Sequence, residues 1–234
     1  MVSNDTFCAA KLVRDAALSE RVILMQLSPT ARLGAAFIAL IAWAALIGQL
    51  WISAADNGGV APALWVLLRY FTILTNLMVA LVYTRVVLRN QVLGDGWMAA
   101  LTLWILIVGI VYHLLLAGLV DPQGFAWWVD QGLHSAVPAL VALVWIGFLP
   151  KHSLKKHSLN WHHAALWLFW PLAYLAYALI RGGLDGTYPY FFIDAGQFGY
   201  TRVALNSLGL CLAFYAGGLG IVGTGKLMSS RAIR

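Results

Sequence analysis

The sequence predicts an all-α, polytopic membrane protein with six transmembrane helices and both termini in the cytoplasm. Three observations support this prediction. Of the 234 residues, 62% are hydrophobic and only 10% are charged, with a mean hydropathy of +0.80, which excludes an ordinary soluble domain. Six apolar stretches each reach the roughly 20 residues that a helix needs to cross a bilayer. The basic residues also cluster in alternate connections, as the positive-inside rule requires.

The six predicted spans follow one another with short connections. Prolines mark their limits, because Pro62 suits the first turn of a helix, Pro122 lies in a connection and Pro150 directly follows the fourth span. Tryptophans fall near several of the ends, where an indole prefers the headgroup layer. The predicted spans are residues 33–53, 62–84, 97–119, 128–149, 161–181 and 201–224.

Basic residues outside the spans set the predicted orientation. Most of the fifteen Lys and Arg residues precede span one or follow spans two, four and six, which places them on one side of the membrane. By the positive-inside rule that side is the cytoplasm. We therefore predict a transmembrane domain over 32–225 in the cell membrane, between cytoplasmic tails at 1–31 and 226–234. Three arginines lie within or at the ends of spans near the outer face: Arg69, Arg181 and Arg202.

Composition narrows the classes of partner and cofactor. The formal net charge of +6 indicates sorting of charge across a bilayer, so membrane lipid is the expected partner and nucleic acid is not. Cys8 and Cys211 form neither a disulfide framework nor a metal motif, and no cofactor or metal is predicted. The N-terminal tail, residues 1–31, lacks the features of a cleavable signal peptide, and Met25 is a plausible alternative start.

Span two carries the first set of polar residues that need a reason to lie in a membrane. An ionisable side chain within a span costs at least ~2.5–3.5 kcal/mol on insertion scales. Arg69, Thr72 and Asn76 follow an i, i+3, i+7 spacing, which would place them on one helical face. Thr75 lies between them as a second hydroxyl.

The other polar residues fall in the outer half of the predicted bundle. His113 lies near the outer end of span three, and Asp130 and His134 form an i, i+4 pair near the outer end of span four. Arg202 begins span six. We therefore expect the outer half to hold a polar cavity that Thr72, His113, His134 and Arg69 all face.

An aromatic connection precedes span six. Residues 187–194 include Tyr190 and Asp194, and the segment is too apolar for an ordinary solvated loop. We expect it to fold over the mouth of the cavity as a lid.

Three segments in this order carry a resemblance to a known family. They are Arg69-Tyr70-Phe71-Thr72-Ile73-Leu74-Thr75-Asn76-Leu77, His134-Ser135-Ala136-Val137-Pro138 and Tyr188-Pro189-Tyr190-Phe191-Phe192-Ile193-Asp194. Together they resemble the androgen-induced integral membrane proteins and their prokaryotic six-span relatives. The resemblance covers roughly residues 62–224. Characterised animal members of that family hydrolyse fatty acid esters of hydroxy fatty acids with a membrane-embedded Thr and His.

The resemblance implies a lipid ester hydrolase with Thr72 as nucleophile and His134 as its base, although Thr75 offers a competing alignment for the nucleophile. A Thr hydroxyl needs such a base to become reactive, and the base is usually oriented by a third group. Asp130 is the expected orienting group, and Arg69 or Asn76 is expected to bind a carboxylate or stabilise an oxyanion. Supporting or substrate-binding roles extend to further outer-half residues: His113, Tyr190, Asp194 and Arg202.

Two other functions remain open from the sequence. His113 and His134, at similar depth on neighbouring spans, are a possible pair of axial ligands for a b-type haem. A small-molecule transporter also needs a polar cavity, but the sequence contains no inverted repeat and no polar path in the inner half.

Overall fold

The computed structural model describes residues 27–148 and 159–231 of the chain. Within these two ranges the chain is almost wholly helical and contains no strand. Several residues used in the orientation argument lie outside the described ranges: Lys11, Arg14, Arg21, Lys151, Lys155, Lys156 and Arg234.

The described helices form six membrane-length stretches, the predicted number, although some of these stretches consist of two shorter helices. The α-helices are α1 (Pro29–Asp56), α2 (Val60–Leu67), α3 (Phe71–Arg89), α4 (Asp95–Val111), α5 (Phe125–Gln131), α6 (Val137–Phe148), α7 (His162–Leu166), α8 (Phe169–Asp185) and α9 (Ala195–Arg231). Six helical stretches are long and apolar enough to cross a membrane: Pro29–Asp56, Phe71–Arg89, Asp95–Leu119, Phe125–Gly147, His162–Asp185 and Ala195–Met228. The all-α class and the six apolar spans are therefore confirmed.

Helix α1 is the helix against which α3 and α5 pack. Ser28 caps its N-terminus by accepting a hydrogen bond from the backbone N–H of Ala31, and Pro29 takes the first helical position. Trp43 donates its indole N–H to the Thr84 hydroxyl on α3 at 3.0 Å. The buried face of α1 consists mostly of small residues, which let neighbouring backbones approach closely: Ala31, Ala35, Ala39, Ala42, Ala45 and Gly48.

Predicted span two, 62–84, is wrong as a single helix. The chain forms the short α2, leaves helical geometry at 68–70 and starts again as α3, so the long span runs to Arg89. The carbonyls released by the break are not left unpaired, because Tyr174 donates to the Arg69 carbonyl at 2.8 Å and Tyr177 donates to the Leu68 carbonyl at 3.1 Å. Arg69 lies in this break, outside helix α3. The prediction that it shares a helical face with Thr72 is therefore wrong.

The fifth and sixth spans are also interrupted. Helix α7 stops before α8, and the indole N–H of Trp104 bonds the carbonyl of Trp167 at this break, at 2.9 Å. In α9, Gly199 has φ 71° and ψ 158°, a conformation that favours glycine. The predicted start of span six at residue 201 coincides with the regular helix beyond this kink.

Two helices widen into π-helical turns where they meet. Helix α4 continues as a π-helix over Tyr112–Leu116, and α5 continues as a π-helix over Gly132–Ala136 before α6 begins. Pro138 has no N–H to bond the carbonyl of His134 four residues earlier, which favours the wider turn. That carbonyl packs against Gly109, where a Cβ would lie only 2.9 Å from its oxygen. Such turns are rare in proteins as a whole, and those that occur often lie at functional sites.

The first prediction tests the contact between α1 and the second π-helical turn. A Cβ at Gly132 would lie 2.8 Å from the Cβ of Ala45, whereas Gly147 has open space around it. We expect Gly132→Ala to lower the free energy of unfolding by about 1–3 kcal/mol through overpacking. Gly147→Ala should be neutral or stabilising by up to about 1 kcal/mol. Equal melting temperatures of the two variants in detergent would contradict this packing.

Candidate functional site

The carboxylate of Asp130 is the centre of the polar cluster at the two π-helical turns. It accepts a hydrogen bond from the Tyr112 hydroxyl at 2.6 Å, and its other oxygen lies 3.0 Å from Nδ1 of His134. The ring of His134 stacks on the ring of Tyr112, with 3.9 Å between centroids and 10° between planes. The predicted i, i+4 pair is therefore present, and Tyr112 fixes it from the neighbouring helix. Tyr112 is not among the residues predicted for the site.

The hydrogen bonds of His134 assign its tautomer. Nδ1 is close to two acceptors of Asp130, the side-chain oxygen at 3.0 Å and the backbone carbonyl at 3.1 Å. In a neutral imidazole, Nδ1 must then carry the hydrogen and Nε2 has the free lone pair. Nε2 has no hydrogen-bond partner among the described residues. This is the arrangement in which a histidine can accept a proton through Nε2.

A second branch of the cluster holds His113. Its Nε2 lies 3.0 Å from the hydroxyl of Ser135, which donates to the side-chain oxygen of Gln131 at 2.7 Å. His113 also packs edge-on against Tyr112. The two histidines are thus held by separate partners around one tyrosine ring. Because Nε2 of His113 lies within hydrogen-bond distance of Ser135, the geometry favours two histidines with separate hydrogen-bond partners over two axial ligands of one haem.

Thr72 is the second residue of α3 and lies in the wall of a cavity of about 80 Å³. Its side chain is buried, and its hydroxyl lies beside Tyr190 of the aromatic loop. Burial raises the pKa of Tyr190, and the hydrogen bonds from Thr72 oppose that shift. Apart from a few polar groups, apolar and aromatic side chains form the wall, among them Phe71, Ile107, Leu175, Phe192 and Phe214.

Thr75 has a different environment. Its hydroxyl accepts a hydrogen bond from the indole of Trp170 at 3.2 Å, and the residue is fully buried between helices. It does not line the cavity at Thr72. The structure therefore favours Thr72 over Thr75 as the hydroxyl that a ligand can reach.

Asn76 joins the helix of Thr72 to the helix of His134. Its side-chain amide donates to the carbonyl of Thr72 at 2.9 Å and to the carbonyl of Leu133 at 3.2 Å. Its oxygen is buried and has no partner among the described residues. No hydrogen bond connects the side chains of Thr72 and His134 in the part of the chain that the structure describes. Asn76 thus sets the spacing of the two helices.

Arg69 is committed to an ion pair. Its guanidinium contacts both carboxylate oxygens of Asp185, at 2.9 and 2.7 Å, and donates to the carbonyl of Thr187. The hydrogen bond to Asp185 raises the pKa of Arg69, and burial opposes the shift. A guanidinium engaged on both sides is poorly placed to bind a substrate carboxylate. The sequence signal available for this partner was Asp185, an acidic residue just beyond the fifth predicted span, 161–181.

The remaining predicted site residues lie around the aromatic loop. Asp194 accepts from the backbone N–H of Gln197 at 2.9 Å at the start of α9, while Arg202 is exposed on that helix. Tyr190 and Phe192 stack at 5.1 Å between centroids, and both line the cavity of Thr72. The loop therefore closes part of the cavity wall, as expected of a lid.

A second cavity, of about 360 Å³, lies between the ends of α4 and α5. Its wall includes several polar side chains: Tyr112, His113, Asp121, Gln123, Asp130 and Gln131. Thr72 and His113 therefore line different cavities, and the expectation that they share one is corrected. The reason is that the π-helical turns direct His113 toward Ser135 and the α4–α5 connection.

Comparison with known protein families, with curated proteins and with solved structures gives no match to this chain. The fold alone defines its class, an all-helical protein with six helices able to cross a membrane. Within the described ranges, no group of three or more His, Cys, Asp or Glu residues is arranged to hold a metal ion.

The second prediction concerns the ion pair of Arg69. Asp185→Asn removes the charge that balances a guanidinium only 6% exposed, and uncompensated buried charge is strongly destabilising. We expect a clear fall in the melting temperature in detergent. Asp56→Asn, an exposed carboxylate at the end of α1, is the control and should melt like the wild type. If both variants melt like the wild type, Arg69 does not depend on Asp185.

Proposed function

We propose that this protein is a membrane-embedded lipid ester hydrolase in which Thr72 is the nucleophile and His134 is the general base. The observation that carries the proposal is the orientation of His134, whose Nδ1 bonds Asp130 and whose Nε2 is left available. A histidine oriented by a carboxylate supplies the base and the orienting group of a catalytic triad. The resemblance of the three sequence segments to a hydrolase family is in accord with it.

The proposed reaction proceeds in two steps. The Thr72 oxygen attacks the ester carbonyl carbon and its proton passes to Nε2 of His134, which then protonates the departing alcohol. Water, deprotonated by the same imidazole, attacks the acyl-Thr72 ester and releases the fatty acid, which restores the hydroxyl. Asp130 stabilises the imidazolium in each step. Because no hydrogen bond joins Thr72 and His134 among the described residues, the Thr72 hydroxyl would turn toward His134 when substrate binds.

The two cavities supply the two reactants that hydrolysis needs. The apolar cavity at Thr72 suits an acyl chain, because its wall is made mainly of hydrocarbon side chains. The polar cavity at Asp130 suits water, since it offers several hydrogen-bonding partners. Tyr112 and Asp130 line the polar cavity, and Thr72 lines the apolar one.

The third prediction tests the base. His134→Gln keeps a hydrogen-bonding amide but cannot accept and return a proton, so kcat for a p-nitrophenyl acyl ester in micelles should fall by about 10²–10⁴-fold. Thr72→Ala should abolish labelling by a fluorophosphonate lipid. His162→Gln, an exposed histidine at the start of α7, is the control. A well-folded His134→Gln protein with near wild-type turnover would remove the proposed mechanism.

We also propose that both termini are cytoplasmic and that the Thr72 side of the bundle faces outward, as the distribution of basic residues indicates. The fourth prediction tests this in a background without Cys8 and Cys211. Cysteines introduced at the exposed Asp56 and Asp121 should react with an impermeant thiol reagent added to intact cells. Cysteine at the exposed Arg89 should react only after lysis. The opposite pattern would reverse the orientation.

A further inference from the structure

Ser207 presents an unpaired hydroxyl inside the bundle. The residue lies on α9, its side chain is 8% exposed, and its Oγ has no hydrogen-bond partner among the described residues. A buried hydroxyl without a partner costs about 1–3 kcal/mol by mutational measurement, so its position needs an explanation.

Several other buried hydroxyls in the spans have hydrogen-bond partners within the protein. Thr102 donates to the carbonyl of Met98 one turn earlier at 2.8 Å, the usual arrangement for a Ser or Thr in a membrane helix. Ser53 accepts from the side-chain amide of Asn57. Tyr83 also lacks a partner in the described part of the chain, but it lines neither of the two cavities described above.

The Ser207 hydroxyl belongs to the cavity of Thr72. Helix α9 turns one face toward this cavity, with Ser207, Leu210, Cys211 and Phe214 at i, i+3, i+4 and i+7. Thr72 lies in the same wall on α3. The cavity therefore offers a ligand the hydroxyls of Thr72 and Ser207 in mostly apolar surroundings, and that of Ser207 is buried without a hydrogen-bond partner among the described residues.

We propose that this cavity binds the carbonyl end of a single-chain acyl ester, with the Ser207 hydroxyl donating a hydrogen bond to the carbonyl oxygen. The assignment of an ester rests on the proposed function, since a carbonyl held here faces the Thr72 hydroxyl. When Thr72 attacks, the carbonyl π electrons move to that oxygen, and the Ser207 hydroxyl stabilises the resulting oxyanion without giving up its proton. The apolar side chains in the rest of the wall favour hydrocarbon next to the ester group.

The volume limits how much of the ligand the cavity can hold. About 80 Å³ is smaller than the cavity of about 150 Å³ that accommodates one benzene ring in an engineered protein. A group smaller than that ring, such as the ester itself, fits, so the acyl chain must lie between helices or in the bilayer. Recognition therefore depends on the ester and little on chain length.

Binding without turnover provides the test. In a Thr72→Ala background, the affinities of a long-chain fatty acid methyl ester and an alkane of equal length are compared by quenching of tryptophan fluorescence. We expect Ser207→Ala to weaken ester binding by about tenfold and to leave alkane binding unchanged, because only the ester can accept the hydrogen bond. Cys211→Ala, one turn further along the same face, is the matched control and should change both affinities alike.

Stability in the absence of ligand gives an independent readout. Ser207→Ala should keep or raise the melting temperature, because the substitution removes an unpaired buried hydroxyl. A lower melting temperature together with an unchanged ester-to-alkane ratio would show that Ser207 makes a structural hydrogen bond, and would overturn the proposal.

The experiments can reject the role of Ser207 in ester binding and the hydrolase activity independently of each other. If wild-type protein shows no hydrolysis but Ser207→Ala selectively loses the ester, the ester-binding site stands and the hydrolase does not. If esters are hydrolysed but Ser207→Ala leaves ester preference and kcat unchanged, the role of Ser207 is overturned and the hydrolase stands.

Discussion

The carboxylate of Asp130 is the polar group around which the two π-helical turns of the bundle are organised. In hydrocarbon surroundings a carboxylate must be bonded on all sides, and Asp130 meets this need with Tyr112 from one helix and His134 from its own. Both bonds come from residues in or beside π-helical turns. Pro138 favours the second turn by withholding a donor, and Gly109 gives the exposed carbonyl room. Geometry that looks irregular in each helix is thus the condition for pairing the carboxylate.

The same constraint explains why the helices that carry the site are short or broken. The break before α3 leaves carbonyls at Leu68 and Arg69, and two tyrosines of α8 bond them. Those bonds, together with the ion pair to Asp185, attach α8 to the start of α3. Thr72 lies two residues beyond this attachment, so its position depends on contacts that have no part in the proposed reaction. Removing them would displace the hydroxyl without changing any group that touches substrate.

The sequence could predict what depends on local spacing and could not predict what depends on distant partners. Six apolar stretches and the i, i+4 contact of Asp130 with His134 follow from periodicity, and both are present. The break at 68–70 lies around Arg69 within predicted span two, and its carbonyls are bonded by tyrosines more than 100 residues away in the chain. The charge of Arg69 marks this place as unusual, but hydropathy contains no signal for the distant tyrosines that bond the released carbonyls. Ser207 was missed for a related reason, since a serine in an apolar helix normally bonds its own backbone.

The resting arrangement keeps the proposed nucleophile and base apart. Thr72 lies beside Tyr190 in the apolar cavity, whereas Nδ1 of His134 is bonded to Asp130. No hydrogen bond joins the Thr72 and His134 side chains in the described residues. Under the proposed mechanism, an ester group entering beside Phe192 would bring its carbonyl to the Thr72 hydroxyl. Binding energy from the ester group would then be used to assemble the dyad, which confines reactivity to lipids that place an ester in this cavity.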